Sequence, residues 1–231
     1  MAGPHTPRAR ARELMLGEIK QQALTQFAAQ GPAELSLRAI ARELGMVSSG
    51  LYRYYASRDE LLTALIIDSY SDLATNLERS DESIPVGGFR QRWLRRCAAL
   101  RDWGRGVPHR FQLIYGSPVP GYSAPADTIA PAAAVISAML APVNDAAAAG
   151  ALSSLPQPTD QVLSDQLAAV VAGFELRLDP GTLNRAVGGI ATVIGLLTLE
   201  LGGHFVGGFE PADALYTDQV RALADQMGLP A

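Results

Sequence analysis

Residues 35–66 read LSLRAIARELGMVSSGLYRYYASRDELLTALI. Two short helical patterns and the start of a longer one follow each other here. Leu37, Ile40, Ala41 and Leu44 recur at the three-and-four spacing of one helix face, and Ser36 ahead of them is an N-cap residue. Gly45 stands where a helix terminates in a left-handed residue. A few residues on, another short helix is expected to run to about Tyr55. Ser57-Arg58-Asp59-Glu60 ahead of Leu61-Leu62 is a capping box, which predicts a helix through Ile66, Ile67, Tyr70 and Leu73 to about Arg79. Upstream, Leu16, Ile19, Ala23, Leu24 and Phe27 form one stripe of a helix from Arg8 to Gln30, with Gly31-Pro32 to end it.

Two short helices across a tight turn, the second bearing polar and aromatic residues, match the helix-turn-helix pattern. The second helix must then show two faces. Leu51 and Tyr55, at i and i+4, point inward against Ile40, Ala41 and the first helix, while Ser48, Ser49, Tyr52 and Arg53 face outward. Small serines permit close approach to base edges, and the helix N-terminus favours phosphate. An arginine reads guanine or clamps phosphate, and a tyrosine hydroxyl donates to phosphate oxygens. Spacing alone leaves a plain helical hairpin with a solvated arginine and packed tyrosines equally open.

Charge favours the first reading. Residues 1–58 carry eight of the 19 basic and four of the 23 acidic residues, so a local balance of +4 sits on a chain of net charge −4. A basic N-terminal segment on an acidic body invites a polyanion at one end. Arg8, Arg10 and Arg12 could reach the minor groove or backbone as a flexible basic arm does; a solubilising tail is the competing reading.

The remaining chain also reads as helix, so the fold class is all-α. Sustained period-two alternation is absent, and helices are expected at roughly 89–104, 107–116, 126–150, 160–177, 181–206 and 211–227. The 231 residues divide into an N-terminal three-helix domain, 1–56, and a larger helical domain, 57–231, with SDESIPVGG (80–88) as a composition break. The N-terminus has positive charge without an apolar run behind it, and the apolar stretch from Ala186 to Leu199 is too short to span a bilayer. The expected compartment is the cytoplasm, with no membrane partner. The single cysteine, Cys97, excludes an intrachain disulfide and reads as a small buried hydrophobe. His5, His109 and His204 are too scattered for a metal site, and no phosphate loop, HExxH or GxSxG occurs, so no cofactor, no metal and no catalysis are expected.

The run 35–66 resembles the N-terminal domain of TetR-type transcriptional regulators. Ser36, Ile40, Ala41, Gly45, Leu51, Tyr52, Tyr54, Tyr55, Ser57, Arg58, Glu60, Leu61 and Leu62 match its pattern in register through three helices. The resemblance implies phosphate contacts at Ser36, Tyr52, Tyr54 and Arg58, base-facing positions at Ser48, Ser49 and Arg53, and a core position at Tyr55. Arg38 and Val47 complete the candidate DNA-contacting set. Val47 departs from the family, which has Ser or Thr there; valine cannot cap, so the cap shifts to Ser48 or is absent, at a cost of about 1 kcal/mol.

A regulator of this kind implies a homodimer on a double-stranded operator, with a small-molecule effector bound in the C-terminal domain. The stretch GTLNRAVGGIATVIGLLTLELGG within 181–206 is nearly apolar all round, which suits a buried or dimer-interface helix with 211–227 as a candidate partner. Candidate effector-pocket residues are Trp93, Cys97, Trp103, His109, Phe111, Tyr115, Met139, Phe174 and His204, aromatics with a few polar tips, against ordinary core packing. PHRFQLIYGSPVPGY (108–122) and LLTLELGGHF (196–205) also resemble a TetR subgroup named for a Trp-His-Gly triplet, which is replaced here by Val193-Ile194-Gly195. A non-catalytic helical ligand-binding protein without DNA function is the alternative, and it leaves the basic helix-turn-helix unexplained.

Overall fold

Helix follows helix along the chain. The computed structural model describes residues 6–31, 34–152 and 155–230. His5 and Pro32 lie outside the described residues. Among those described there is no strand, and the helices run α1 Pro7–Gln30, α2 Leu37–Glu43, α3 Ser48–Leu51, α4 Arg58–Ser80 and α5 Phe89–Gly106. They continue with α6 Pro108–Tyr115, α7 Ile129–Ala148, α8 Gln161–Gly173, α9 Pro180–Leu201 and α10 Asp213–Gln226.

These residues form two compact units. The first takes the described residues within 1–69 and 109–130, the second those within 70–108 and 131–231, so the division falls inside α4. In the first unit α1 packs on α2 and α2 on α3 around Ile19, Ala23, Phe27, Leu37, Ile40, Ala41, Leu51 and Tyr55, all buried. Lys20 Nζ reaches Asp68 Oδ2 at 2.6 Å and ties α1 to α4. The segment 109–130 joins through Arg110, whose guanidinium donates to the Asp68 carbonyl, and through Tyr122, whose hydroxyl lies 2.9 Å from that of Thr63.

In the second unit α5, α9 and α10 pack on one another. Trp93 Nε1 donates to the Val220 carbonyl, and the Tyr216 hydroxyl donates to the Cys97 carbonyl. At Gly189 an added Cβ would stand 3.8 Å from the Trp93 ring and 3.7 Å from Leu223, so the α9 backbone lies one methyl group away from both neighbours. Arg101, buried, pairs in two-pronged fashion with Glu200 and reaches Asp213 at 3.0 Å, while its guanidinium lies over the Tyr216 ring. The sequence expectation gave 181–206 as a buried or dimer-interface helix with 211–227 as a candidate partner, and α10 does pack on α9. α10 turns Tyr216, Val220, Leu223 and Ala224 inward within the unit, where its apolar stripe meets α5 and α9. It is α8, packed on α9, that adds exposed apolar surface to that of α9: Val162, Val170 and Phe174 beside Val187 and Leu199.

α9 and the 126–148 stretch are each long and apolar enough to cross a membrane by length and composition. The expectation for 186–199 is thereby corrected for length, since the helix extends to 22 residues. Its inner face, from Leu183 through Ile190 to Leu197, is nonetheless committed to the protein core.

Candidate nucleic-acid interface

The turn between α2 and α3 is built from backbone bonds that a left-handed residue allows. Gly45 has φ +64°, its N–H donates to the Arg42 carbonyl at 3.1 Å, and the Met46 N–H donates to the Ala41 carbonyl at 2.8 Å. This paired closure satisfies two carbonyls at the end of α2 and redirects the chain within two residues. A side chain at position 45 would incur the left-handed penalty of about 1–2 kcal/mol.

α3 is shorter than the sequence predicts. Regular α-helix covers Ser48–Leu51, and the chain then tightens: the Arg53 N–H bonds to the Gly50 carbonyl and the Tyr54 N–H to the Leu51 carbonyl, both i+3 bonds. Gly50 and three tyrosines give this segment low intrinsic helix propensity, and an i+4 bond, Tyr55 to Leu51, closes it. The face division nevertheless holds. Leu51 and Tyr55 are buried, whereas Ser48, Ser49, Tyr52 and Arg53 are exposed. Burial, with Asp68 and Glu60 nearby, pushes the Tyr55 hydroxyl up to about 12, so it remains neutral and structural.

Val47 occupies the N-cap with φ −69° and ψ 138° and makes no side-chain cap, so no shift to Ser48 replaces the missing hydroxyl. The Gly50 N–H bonds the Val47 main-chain carbonyl at 2.8 Å instead. The valine side chain is 73% exposed. Ser36 does cap α2: its Oγ accepts from the Ala39 N–H at 3.4 Å, which leaves the hydroxyl proton available to a phosphate. Arg38 projects to solvent from α2.

The capping box of α4 forms with one change. The Glu60 N–H donates to Ser57 Oγ at 3.1 Å, and the Glu60 carboxylate reaches back to the Ala56 N–H rather than to that of Ser57. Arg58 opens α4, half-buried, 3.5 Å from Asp59. Tyr54 is half-buried, with the Arg12 guanidinium 5.3 Å from its ring centre. Sequence reasoning missed this pairing, which follows from α1 beginning at Pro7. Thr6 caps the helix, Pro7 starts it, and Arg8, Arg10 and Arg12 lie on its first turns instead of on a flexible arm.

These residues all belong to the first unit, which combines a tight two-helix turn with exposed serines and guanidinium groups. The N-terminal family model described as bacterial regulatory proteins, tetR family, matches residues 19–65, and one described as tetracyclin repressor-like, C-terminal domain, matches 93–223. The chain belongs to the TetR family. It is 38% identical over 199 residues, 84% of each chain, to the HTH-type transcriptional regulator Mb1846 of Mycobacterium bovis, and equally so to Rv1816 of Mycobacterium tuberculosis. The crystal structure of the regulatory protein SCO4313 superposes with a TM-score of 0.76 at 35% identity, covering 95% of this chain and all of that one. A tetR-family regulator from Streptomyces coelicolor shares the fold at a TM-score of 0.61 and 20% identity, over 93% of this chain and 80% of its own. This TetR-family chain is therefore a DNA-binding transcriptional regulator.

The candidate effector residues fall in both units. His109, Phe111 and Tyr115 lie in the first unit, where the rings of Phe111 and Tyr115 are 5.2 Å apart. Burial, with Arg110 beside it, depresses the proton affinity of His109. Trp93, Cys97 and Met139 belong to the core of the second unit, packed without surface open to water. Burial pushes the Cys97 thiol far up, which makes it unreactive. Trp103 donates its indole N–H to Asp72 at 2.9 Å. Phe174 and His204 lie on the surface, Phe174 at the end of α8 and His204 just beyond α9.

Proposed function

We propose that the protein is a cytoplasmic repressor that binds a palindromic operator as a homodimer and leaves it when a small molecule occupies the C-terminal domain. The observation that carries the DNA half of this reading is the division of 47–55, with Leu51 and Tyr55 buried and Ser48, Ser49, Tyr52 and Arg53 exposed beyond the Gly45 turn. Ser48, Ser49 and Arg53 are assigned to base edges. Ser36, Arg38, Tyr52, Tyr54 and Arg58 are assigned to the backbone, and Val47 offers a methyl surface suited to a thymine methyl group.

The exposed apolar face of α8 and α9 supports the dimer, since charged side chains are nearly absent from it. Effector release requires only that the ligand prefer an arrangement that does not fit DNA.

Selection from a random duplex pool at stated salt tests this reading. A palindrome is expected, with half-sites spaced by about one helical turn or a multiple. An unenriched pool sinks it and favours a ligand-binding protein without DNA function. On the selected site, Arg53→Ala should cost about 1–3 kcal/mol and relax preference at one base pair. A uniform loss over all sequences would move Arg53 to the phosphate group.

A further inference from the structure

Beside the recognition segment lies an open cleft of about 630 Å³, lined by Thr6, Arg8, Arg12, Met15, Arg53 and Tyr54. It brings three guanidinium groups together from two separate places in the sequence, and its lining contains no carboxylate. Arg8 and Arg12 are one helical turn apart, at i and i+4, so they share a face of α1. That placement is fixed: Thr6 Oγ1 accepts from the Ala9 N–H at 3.2 Å, and Pro7 starts the helix. Among the described residues no ion pair engages Arg8, Arg12 or Arg53. Three like charges held together without a counter-charge repel one another, and a bound anion relieves that repulsion. Arg12 is also braced, with its guanidinium over the Tyr54 ring.

We propose that this cleft is a second DNA-contacting site, in which Arg8 and Arg12 from α1 join Tyr54 around phosphates of the operator backbone, beside the base-facing Arg53. The inference rests on the DNA-binding reading and adds to it two residues that the helix-turn-helix itself does not contain. The ligand is the phosphodiester backbone, because the cleft opens beside the exposed face of 47–53 and offers donors in quantity but little that could read a base edge. Its contribution is therefore affinity and register rather than sequence preference.

The test compares the full-length protein with R8A/R12A and with R10A on the selected operator and on an unrelated duplex over a range of salt. All three arginines are exposed, so the fold is retained, and circular dichroism checks it. The slope of log affinity against log salt should fall by roughly 0.9 for each phosphate that R8A/R12A no longer neutralises. Affinity should drop by the same factor on both duplexes. R10A, whose side chain does not line the cleft, should leave the slope near that of the unaltered protein.

An unchanged slope in R8A/R12A overturns the proposal. So does an equal change in R10A, which would make the effect one of diffuse charge, and so does a loss confined to the operator, which would indicate base reading. Inorganic phosphate titrated at constant ionic strength, with saturable binding abolished in R8A/R12A while the DNA slope stays unchanged, would reassign the cleft to a free anion. If the unaltered protein binds neither duplex, the DNA-binding reading fails first.

Discussion

Val47 shows how a missing side-chain function is covered by the main chain. A hydroxyl at this N-cap would accept from the first free N–H groups of α3; here the Gly50 N–H turns to the Val47 carbonyl. The valine packs little, being 73% exposed, so replacing it removes almost no buried apolar area. Val47→Ser should therefore stabilise the segment by about 0.5–1 kcal/mol. Amide exchange at Ser49 is the direct readout, with a slowing of up to about fivefold expected. Equal exchange rates in the two proteins would mean that the backbone turn already does all a cap could do. The Val47 departure was legible in the sequence because N-cap chemistry is local. The Arg12–Tyr54 pairing was not, since it joins residues 42 positions apart and depends on where α1 begins.

Elements were legible where a stop signal was local. The Gly45 turn and the Ser57–Glu60 box could be placed from residue types alone. α8 ends at Gly173, four residues before the sequence expectation, because the left-handed position after it is filled by Glu175 at φ +51° rather than by glycine. The Leu176 N–H still bonds to the Val171 carbonyl, the same closure that ends α2. α9 ends at Leu201 for the opposite reason: Gly203, at φ +74°, is a stop that its apolar surroundings obscured.

The break at 80–88 conceals more than a composition change. Asp81, buried just beyond α4, accepts from Arg96 Nε at 2.8 Å and from Arg92 Nε at 2.9 Å. Arg96 also donates to the Ala138 carbonyl, and Arg92 pairs with Asp145, so α5 and α7 are held to the end of α4. Burial alone would raise the Asp81 proton affinity, but the hydrogen bonds and charges of Arg96 and Arg92 outweigh it and hold the carboxyl below its usual range. A depressed folded value contributes stability above the unfolded carboxylate value, near 3.9, and that contribution is lost as pH falls through the lower folded value. Asp81→Asn should cost about 3 kcal/mol at neutral pH, because it leaves the Arg96 charge buried without its carboxylate. It should also flatten the fall in stability below about pH 4, seen in urea midpoints across that range. A variant as acid-sensitive as the parent would remove Asp81 from the account.

At the scale of the whole molecule, subunit association and DNA affinity should be one quantity. Val170 and Phe174, both exposed on α8 and at its end, sit on the apolar face assigned to the second subunit. The double variant V170D/F174E adds two charges there without touching the core of either unit. Burying them against an identical pair would cost several kcal/mol, so the variant should sediment as a monomer at micromolar concentration, where the proposed function expects the parent to sediment as a dimer. The consequence for DNA follows from tethering. In a dimer the second half-site is met at an effective concentration on the order of millimolar, whereas a monomer meets each half-site independently. The monomeric variant should therefore bind a palindrome no more tightly per subunit than an isolated half-site, with unchanged base preference, while the parent prefers the palindrome by about 100-fold or more. A variant that stays dimeric would place the interface elsewhere. A monomer that retains the full palindrome preference would break the link between symmetry in the protein and symmetry in the operator.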